Sequence, residues 1–425
     1  MTIFITKLLH VQKNYVTVCD ITLKNNNFTH GNTMTQTSIP YTLYSMTASL
    51  FSAKVRAWLR YHKINHIDRG AGQQDFTAEI VPHVGRWILP VLKTPAGDII
   101  QDGTDILDWL DANESHQGSI FPENPILKTI AHAFELFGGE GLLRPAMHYR
   151  WNFDEHNLAF LKISFKDVLA SISNEQEYEQ IFELASGRMR KATQHFGAKA
   201  DRLADIENAY LEFLSLFDKH LSQFPFILGS RPTIADYALF GPMYAHLGRD
   251  PYPLALMQQK APNVFQWLER MNSPCGYQNH LLTEAVHSTD NTGLFSPEQL
   301  PDSLLALMSY ISVEYLPEIS AHVDHANQFL AANPNIKSGT TGISSKGSQT
   351  SIGFCEFDWR GGRMSSSVII YRFYLLKRLT DHFEGLSTEE KKQAQAIFSQ
   401  TNLANMLTLK TQRAVIRQNY QEVWE

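Results

Sequence analysis

Three short stretches carry groups that could bind and activate a small charged ligand. In "YSMTASLFSAKVR" (44–56) a strand-like run ends in Thr-Ala-Ser and enters a helix. Ser49 at that mouth is either a helix cap or a hydroxyl aimed at a negatively charged atom. Tyr44, at the end of the strand, is a rival hydroxyl or a core aromatic. In "WILPVL" (87–92) Pro90 removes a ladder donor and belongs at a strand start or edge. A cis Leu89–Pro90 bond would turn the Leu89 backbone outward, where an extended peptide could dock. In "IIQDGTDILDWL" (99–110) Asp102, Gly103 and Thr104 stand where a strand gives way to a helix. The free N–H groups of Gly103 and Thr104 suit a carboxylate, and Asp102 suits an ammonium. The plain alternative is an Asp cap.

The elements that hold these groups follow from periodicity. Residues 41–46 read as a strand, and Leu50, Phe51, Val55, Trp58 and Leu59 form the stripe of a helix. "NHIDRG" is a second strand, "QQDFTAEIV" a short helix, and "WILPVLK" with "GDIIQ" a hairpin around "TPAGD". "DGTDILDWLDA" closes the unit as a helix. The order β-α-β-α-β-β-α is an α/β thioredoxin-like plan, expected over 41–112. A Ser/Gly/Pro linker at 113–125 marks a boundary. An all-helical domain is expected over 126–289, with helical stretches at 126–149, 157–195, 200–222, 233–247 and 263–272. Residues 290–425 form a mostly helical extension. It holds a mobile Gly/Ser/Thr segment in "NPNIKSGTTGISSKGSQTS", a hairpin turning at "RGGR", and helix over 370–425. Residues 1–40 are a flexible arm, or translation starts at Met34.

Bulk properties exclude several classes. A net charge of -6 lacks the basic footprint of a nucleic-acid binder. Cys19, Cys275 and Cys355 have neither disulfide-scaffold nor zinc spacing, which fits a reducing compartment and a cytoplasmic location. No run approaches a membrane span. His62 and His66 lack a metalloprotease glutamate, "HVDH" (322–325) reads as a solvated face, and no metal site is expected.

Taken in order, the three stretches resemble the glutathione transferase superfamily. "SLFSAKVR" looks like its first helix start, "ILPVL" its cis-proline strand and "QDGTDILDWL" its later helix start. "ILGSRPTIADYALFGPMYAHL" resembles its capping-box segment through Thr233 and Asp236. The resemblance covers about residues 41–272. It implies glutathione as co-substrate, held by Leu89, Pro90, Asp102, Gly103 and Thr104, with Ser49 or Tyr44 stabilising its thiolate. Met147, Tyr149 and Trp151 would line the pocket for a small electrophile, and the chain would form a homodimer. Lowering a thiol pKa by two units takes about 2.7 kcal/mol. A hydroxyl hydrogen bond to the anion (roughly 1.5–3 kcal/mol) and a helix N-terminus (about 0.3–1 kcal/mol) suffice together.

Three departures stand out. Leu50 replaces a common proline, and Gly103 replaces the usual serine. Ser49-Leu50-Phe51-Ser52 carries no cysteine for disulfide chemistry. Lys54, Arg56 and Arg86 are expected as surface or interdomain pairing groups, with Arg86 close enough to Pro90 to meet a ligand carboxylate. Two functions follow. One is an enzyme using the glutathione thiolate; the other is a non-catalytic binding or assembly protein on the same fold.

Overall fold

The computed structural model describes residues 39–114, 118–166, 172, 174–273, 292–342 and 351–425. The N-terminal segment expected at 1–40, apart from its last two residues, lies outside these. So do Cys19, Cys275 and residues 343–350 of the Gly/Ser/Thr segment.

The N-terminal unit follows the expected order. Strand β1 (Tyr41–Ser45) is buried at the centre of a four-stranded sheet. It pairs in parallel with β2 (His66–Gly70) and antiparallel with β3 (Val91–Lys93), and β3 pairs with the edge strand β4 (Ile99–Gln101). Helix α1 (Leu50–Tyr61) buries Ala53, Val55, Ala57, Trp58 and Leu59. A π-turn over Phe76–Ile80 runs into the short helix α2 (Val81–Val84), and α3 (Gly103–Asn113) follows β4.

A helical unit follows: α4 (Pro125–Leu136), α5 (Leu143–Trp151), α6 (Asp154–Lys166), α7 (Glu175–Ala192), α8 (Leu203–Leu221), α9 (Ile234–Pro242), α10 (Pro251–Lys260) and α11 (Pro262–Asn272). The capping box at α9 is present. Asp236 accepts from the backbone N–H of Thr233 at 3.0 Å, and its other oxygen takes the N–H of Ile227 at 3.0 Å and the Trp267 indole at 3.1 Å. The single helix expected over 126–149 is broken by a π-turn at Phe137–Gly141. There α9 passes so close that a Cβ on Gly138 would lie 2.6 Å from the Leu239 nitrogen. The stretch 157–195 likewise divides into α6 and α7, the latter capped by Asn174.

The extension is built into the molecule. It comprises α12 (Asp302–Glu314), α13 (Leu316–Ala332), the hairpin β5 (Ser351–Trp359) and β6 (Gly362–Ile369), α14 (Tyr371–Gly385) and α15 (Thr388–Gln400). The β5–β6 turn falls at "RGGR", with Arg360 and Gly361 at φ 45° and 74°. Helix does not continue to the end. Residues Val415–Gln418 (β7) and Gln421–Trp424 (β8) form a second hairpin, turning on Asn419 and Tyr420 at φ 50° and 61°. Two positive φ values in a two-residue loop match the right-handed twist of paired strands.

One apolar core runs from Tyr41 through the helical unit to Trp424. A buried charge network pins the extension to it. Arg144 Nη1 lies 2.7 Å from Glu314, and Arg372 bridges Glu140 at 3.0 Å and Glu318 at 2.7 Å. His322, expected on a solvated face, is fully buried here: its Nε2 lies 2.9 Å from the Ser366 hydroxyl, which itself donates to Glu318 at 2.6 Å. Breaking one member of such a network typically costs about 3–5 kcal/mol, because the partner charge stays buried.

Candidate functional site

Sheet register gathers the three stretches at one end of the N-terminal unit. Tyr44 pairs with Val91 and Val91 with Gln101, so the loop leading to Ser49, the Leu89–Pro90 bond and the Asp102–Thr104 helix start lie side by side. The Leu89–Pro90 bond is cis, and the Pro90 carbonyl accepts from the N–H of Asp102 at 3.4 Å.

Ser49 caps α1: its Oγ accepts from the N–H of Ser52 at 3.2 Å. A hydroxyl that accepts this bond still has its own proton to give. On either side, the hydroxyls of Thr47 and Ser52 are buried without a hydrogen-bond partner. The turn is braced from the second unit. Arg150 forms two 2.7 Å bonds to Asp250 and donates to the carbonyls of Ala48 at 3.2 Å and Ala245 at 2.9 Å.

Tyr44 is occupied elsewhere. Its hydroxyl donates to Asp75 at 2.9 Å, its ring packs on Phe76, and burial together with Asp75 pushes the phenol well above its ordinary range. It sits in a satellite core with Ala71, Ile80, Val84 and Val91.

The three aromatic and apolar residues of α5 do not form one wall. Met147 and Trp151, four apart, share a face packed with Met46 from the loop before Ser49. Tyr149 points into another cluster, stacked with Phe153 and near Tyr210 and Tyr252. The Trp151 indole N–H is buried without a partner.

The Asp102 end is filled by the chain itself. Asp102 is 8% exposed and Thr104 0%. Oδ1 of Asp102 accepts from the N–H of Thr104 at 2.8 Å and from the hydroxyl of Tyr371 at 2.9 Å. With the Tyr371 proton directed at Asp102, Thr104 gives its own to the Tyr371 oxygen at 3.0 Å, and Lys54 donates to Thr104 at 2.8 Å. Burial alone would raise the Asp102 carboxyl, but Arg417 and Lys54 hold it below its ordinary value. Arg417 also donates to Asp105 at 2.7 Å and to the Gln101 side chain at 2.6 Å. Gly103 has a steric reason to lack a side chain: a Cβ would lie 2.5 Å from Lys54 Cε and 2.8 Å from the Phe51 carbonyl.

The basic side chains correct the sequence reading. Lys54 and Arg56 are buried and paired inside the N-terminal unit, Arg56 with Asp68 at 2.9 Å and with Ser45 at 2.6 Å. Arg86 does meet a carboxylate, that of Glu422 at 3.5 Å, and donates to the Tyr420 carbonyl at 2.6 Å. Arg150, Tyr371 and Arg417 are the important residues that sequence reading passed over. The available signal was "VIRQNYQEVW", β-favouring residues on both sides of an Asn-led two-residue turn. Among the described residues, no cluster of three or more His, Cys, Asp or Glu is placed to hold a metal, and no helix is long and apolar enough to cross a membrane.

Residues 43–118 match the family model of the glutathione S-transferase N-terminal domain, and residues 200–270 that of the C-terminal domain. Both domains of a glutathione S-transferase are recognised in these two stretches. Neither match extends beyond residue 270, so α12 onward lies outside the part recognised as glutathione S-transferase. No curated protein matches the sequence. Similar solved structures include the beta-etherase LigF from Sphingobium sp., 15% identical over 59% of this chain and 100% of its own, with a TM-score of 0.39. A glutathione S-transferase from Methylobacterium radiotolerans, in complex with glutathione sulfonate, is 17% identical over 62% of this chain and 98% of its own, with a TM-score of 0.32. FzlA from C. crescentus is 14% identical over 61% and 96%, with a TM-score of 0.33.

Proposed function

We propose that this chain is a glutathione-dependent transferase in which Ser49 stabilises the glutathione thiolate for attack on a small, hydrophobic electrophile. One observation carries the reading: Ser49 keeps a proton to donate, and the buried hydroxyls of Thr47 and Ser52 beside it have no partner. Buried polar atoms without partners are uncommon and call for one. A sulfur anion at the head of α1 would take the Ser49 proton and gain from the helix dipole. The thiol proton leaves to solvent, and the sulfur forms the new bond to the electrophile as its leaving group departs. Met46, Met147 and Trp151 supply the apolar surface beside this position.

A second reading has its own support. Tyr371, Lys54 and Arg417 already satisfy the Asp102–Thr104 end, as in a fold kept for binding or assembly without turnover. Turnover of a chromogenic aryl halide with glutathione separates the two. The enzyme reading expects a rate that falls at least about tenfold, or 1.4 kcal/mol, in Ser49→Ala with folding intact. An absent rate favours the second reading, and a rate unchanged in Ser49→Ala keeps the enzyme but assigns the thiolate to another donor.

A further inference from the structure

The two ends of this cleft are unequal. Around Ser49 buried hydroxyls lack partners, whereas Asp102, Asp105 and the Gln101 side chain each have one supplied from the far end of the chain. What supplies it has the chemistry of a ligand. In the β7–β8 hairpin Arg417 and Glu422 stand opposite each other in register and form an ion pair. The Arg417 cation reaches the Gln101 side chain and Asp105. The Glu422 carboxylate faces Arg86, on the loop before the cis bond. Arg417 also donates to the Gln101 carbonyl, and the Tyr420 hydroxyl to the Ile99 carbonyl, both at 3.3 Å. Asp102 bonds toward β3, so by alternation these two carbonyls lie on the free edge of β4. A cation, an anion and hydrogen bonds to an edge strand are what a zwitterionic peptide would present.

We propose that the β7–β8 hairpin, with Tyr371, is an internal pseudo-ligand that closes the Asp102–Thr104 end, and that glutathione binds there only when the hairpin is displaced. The inference rests on the reading of the Ser49 site given above. Such a hairpin competes intramolecularly, at an effective concentration of about millimolar or more, so it weakens the free ligand without any new contact to it. Gly103 fits this arrangement, since a side chain there would push Lys54 out of the relay that ends on Asp102.

The test is a calorimetric titration of the full chain with glutathione, comparing wild type, Arg417→Ala/Glu422→Ala and Tyr371→Phe. Hydrogen exchange at 415–424 is measured on the wild type with and without saturating glutathione. The proposal expects at least roughly tenfold tighter binding by the variants and faster hairpin exchange when glutathione binds the wild type. Should the double variant fail to fold, Tyr371→Phe, which loses a single oxygen, and the wild-type exchange data decide. Equal affinities with unchanged exchange overturn the pseudo-ligand while leaving the Ser49 reading intact. No binding by any of the chains overturns both.

Discussion

The hydroxyl of Tyr371 donates to Oδ1 of Asp102 at 2.9 Å, across 269 positions of sequence. That bond joins the extension to the helix start that would receive a ligand's charged end. It also ends a relay running from Lys54 through Thr104. Tyr371→Phe leaves Asp102 with the Thr104 N–H and removes a donor from a buried acid. A loss of about 1–2 kcal/mol is expected, read as a lower urea midpoint with unchanged slope. An unchanged midpoint would mean that the extension is held by its other contacts alone.

Restoring the family's serine should not restore a normal site. In Gly103→Ser the new Cβ meets Lys54 Cε and the Phe51 carbonyl, and overpacking of this kind costs about 1–3 kcal/mol. Lys54→Ala in the same chain should recover only part of the loss, because the Phe51 carbonyl at 2.8 Å is backbone. Thermal unfolding of the single and double variants checks both statements. A Gly103→Ser protein as stable as wild type contradicts them.

Acid should weaken the docking of the extension in two stages. Burial, reinforced by Arg372, pushes the His322 imidazole down to about 3. Against the opposing effect of burial, Arg144 and Arg372 hold Glu318 at about 2. Each group binds fewer protons folded than unfolded, so each favours folding at high pH. The His322 share is complete above about pH 6.5 and fades toward pH 3, and the Glu318 share fades between about 4.5 and 2. His322→Gln, with an amide still able to bond Ser366, should flatten the dependence of stability on pH between 6.5 and 3. Denaturant midpoints measured across that range test this, and identical slopes in both proteins would refute it.

Local signals in the sequence carried the N-terminal unit a long way. A proline inside an apolar strand, an Asp before a helical stripe and the Thr233/Asp236 capping box each act within a few residues, and each appears where expected. The rest depended on distance in sequence. Nothing near Lys54 or Arg56 in the chain reveals that Thr104 and Asp68 bury them. The β7–β8 strands are four residues each, too short for period 2 to stand out against a helical neighbourhood. Met147, Tyr149 and Trp151 looked like one cluster because they are close in sequence. On a helix, positions 147 and 151 share a face that 149 does not.

The most direct test of the Ser49 reading is the pKa of glutathione's thiol on the protein, followed by the ultraviolet absorbance of the thiolate across pH. A free thiol titrates at ~8.5. With saturating glutathione, the account predicts a bound thiol lowered by about two units in the wild type, and a return toward the free value in Ser49→Ala. Glutathione that titrates identically on both proteins, or as it does free in solution, would contradict a thiolate role for Ser49 and leave it a helix cap.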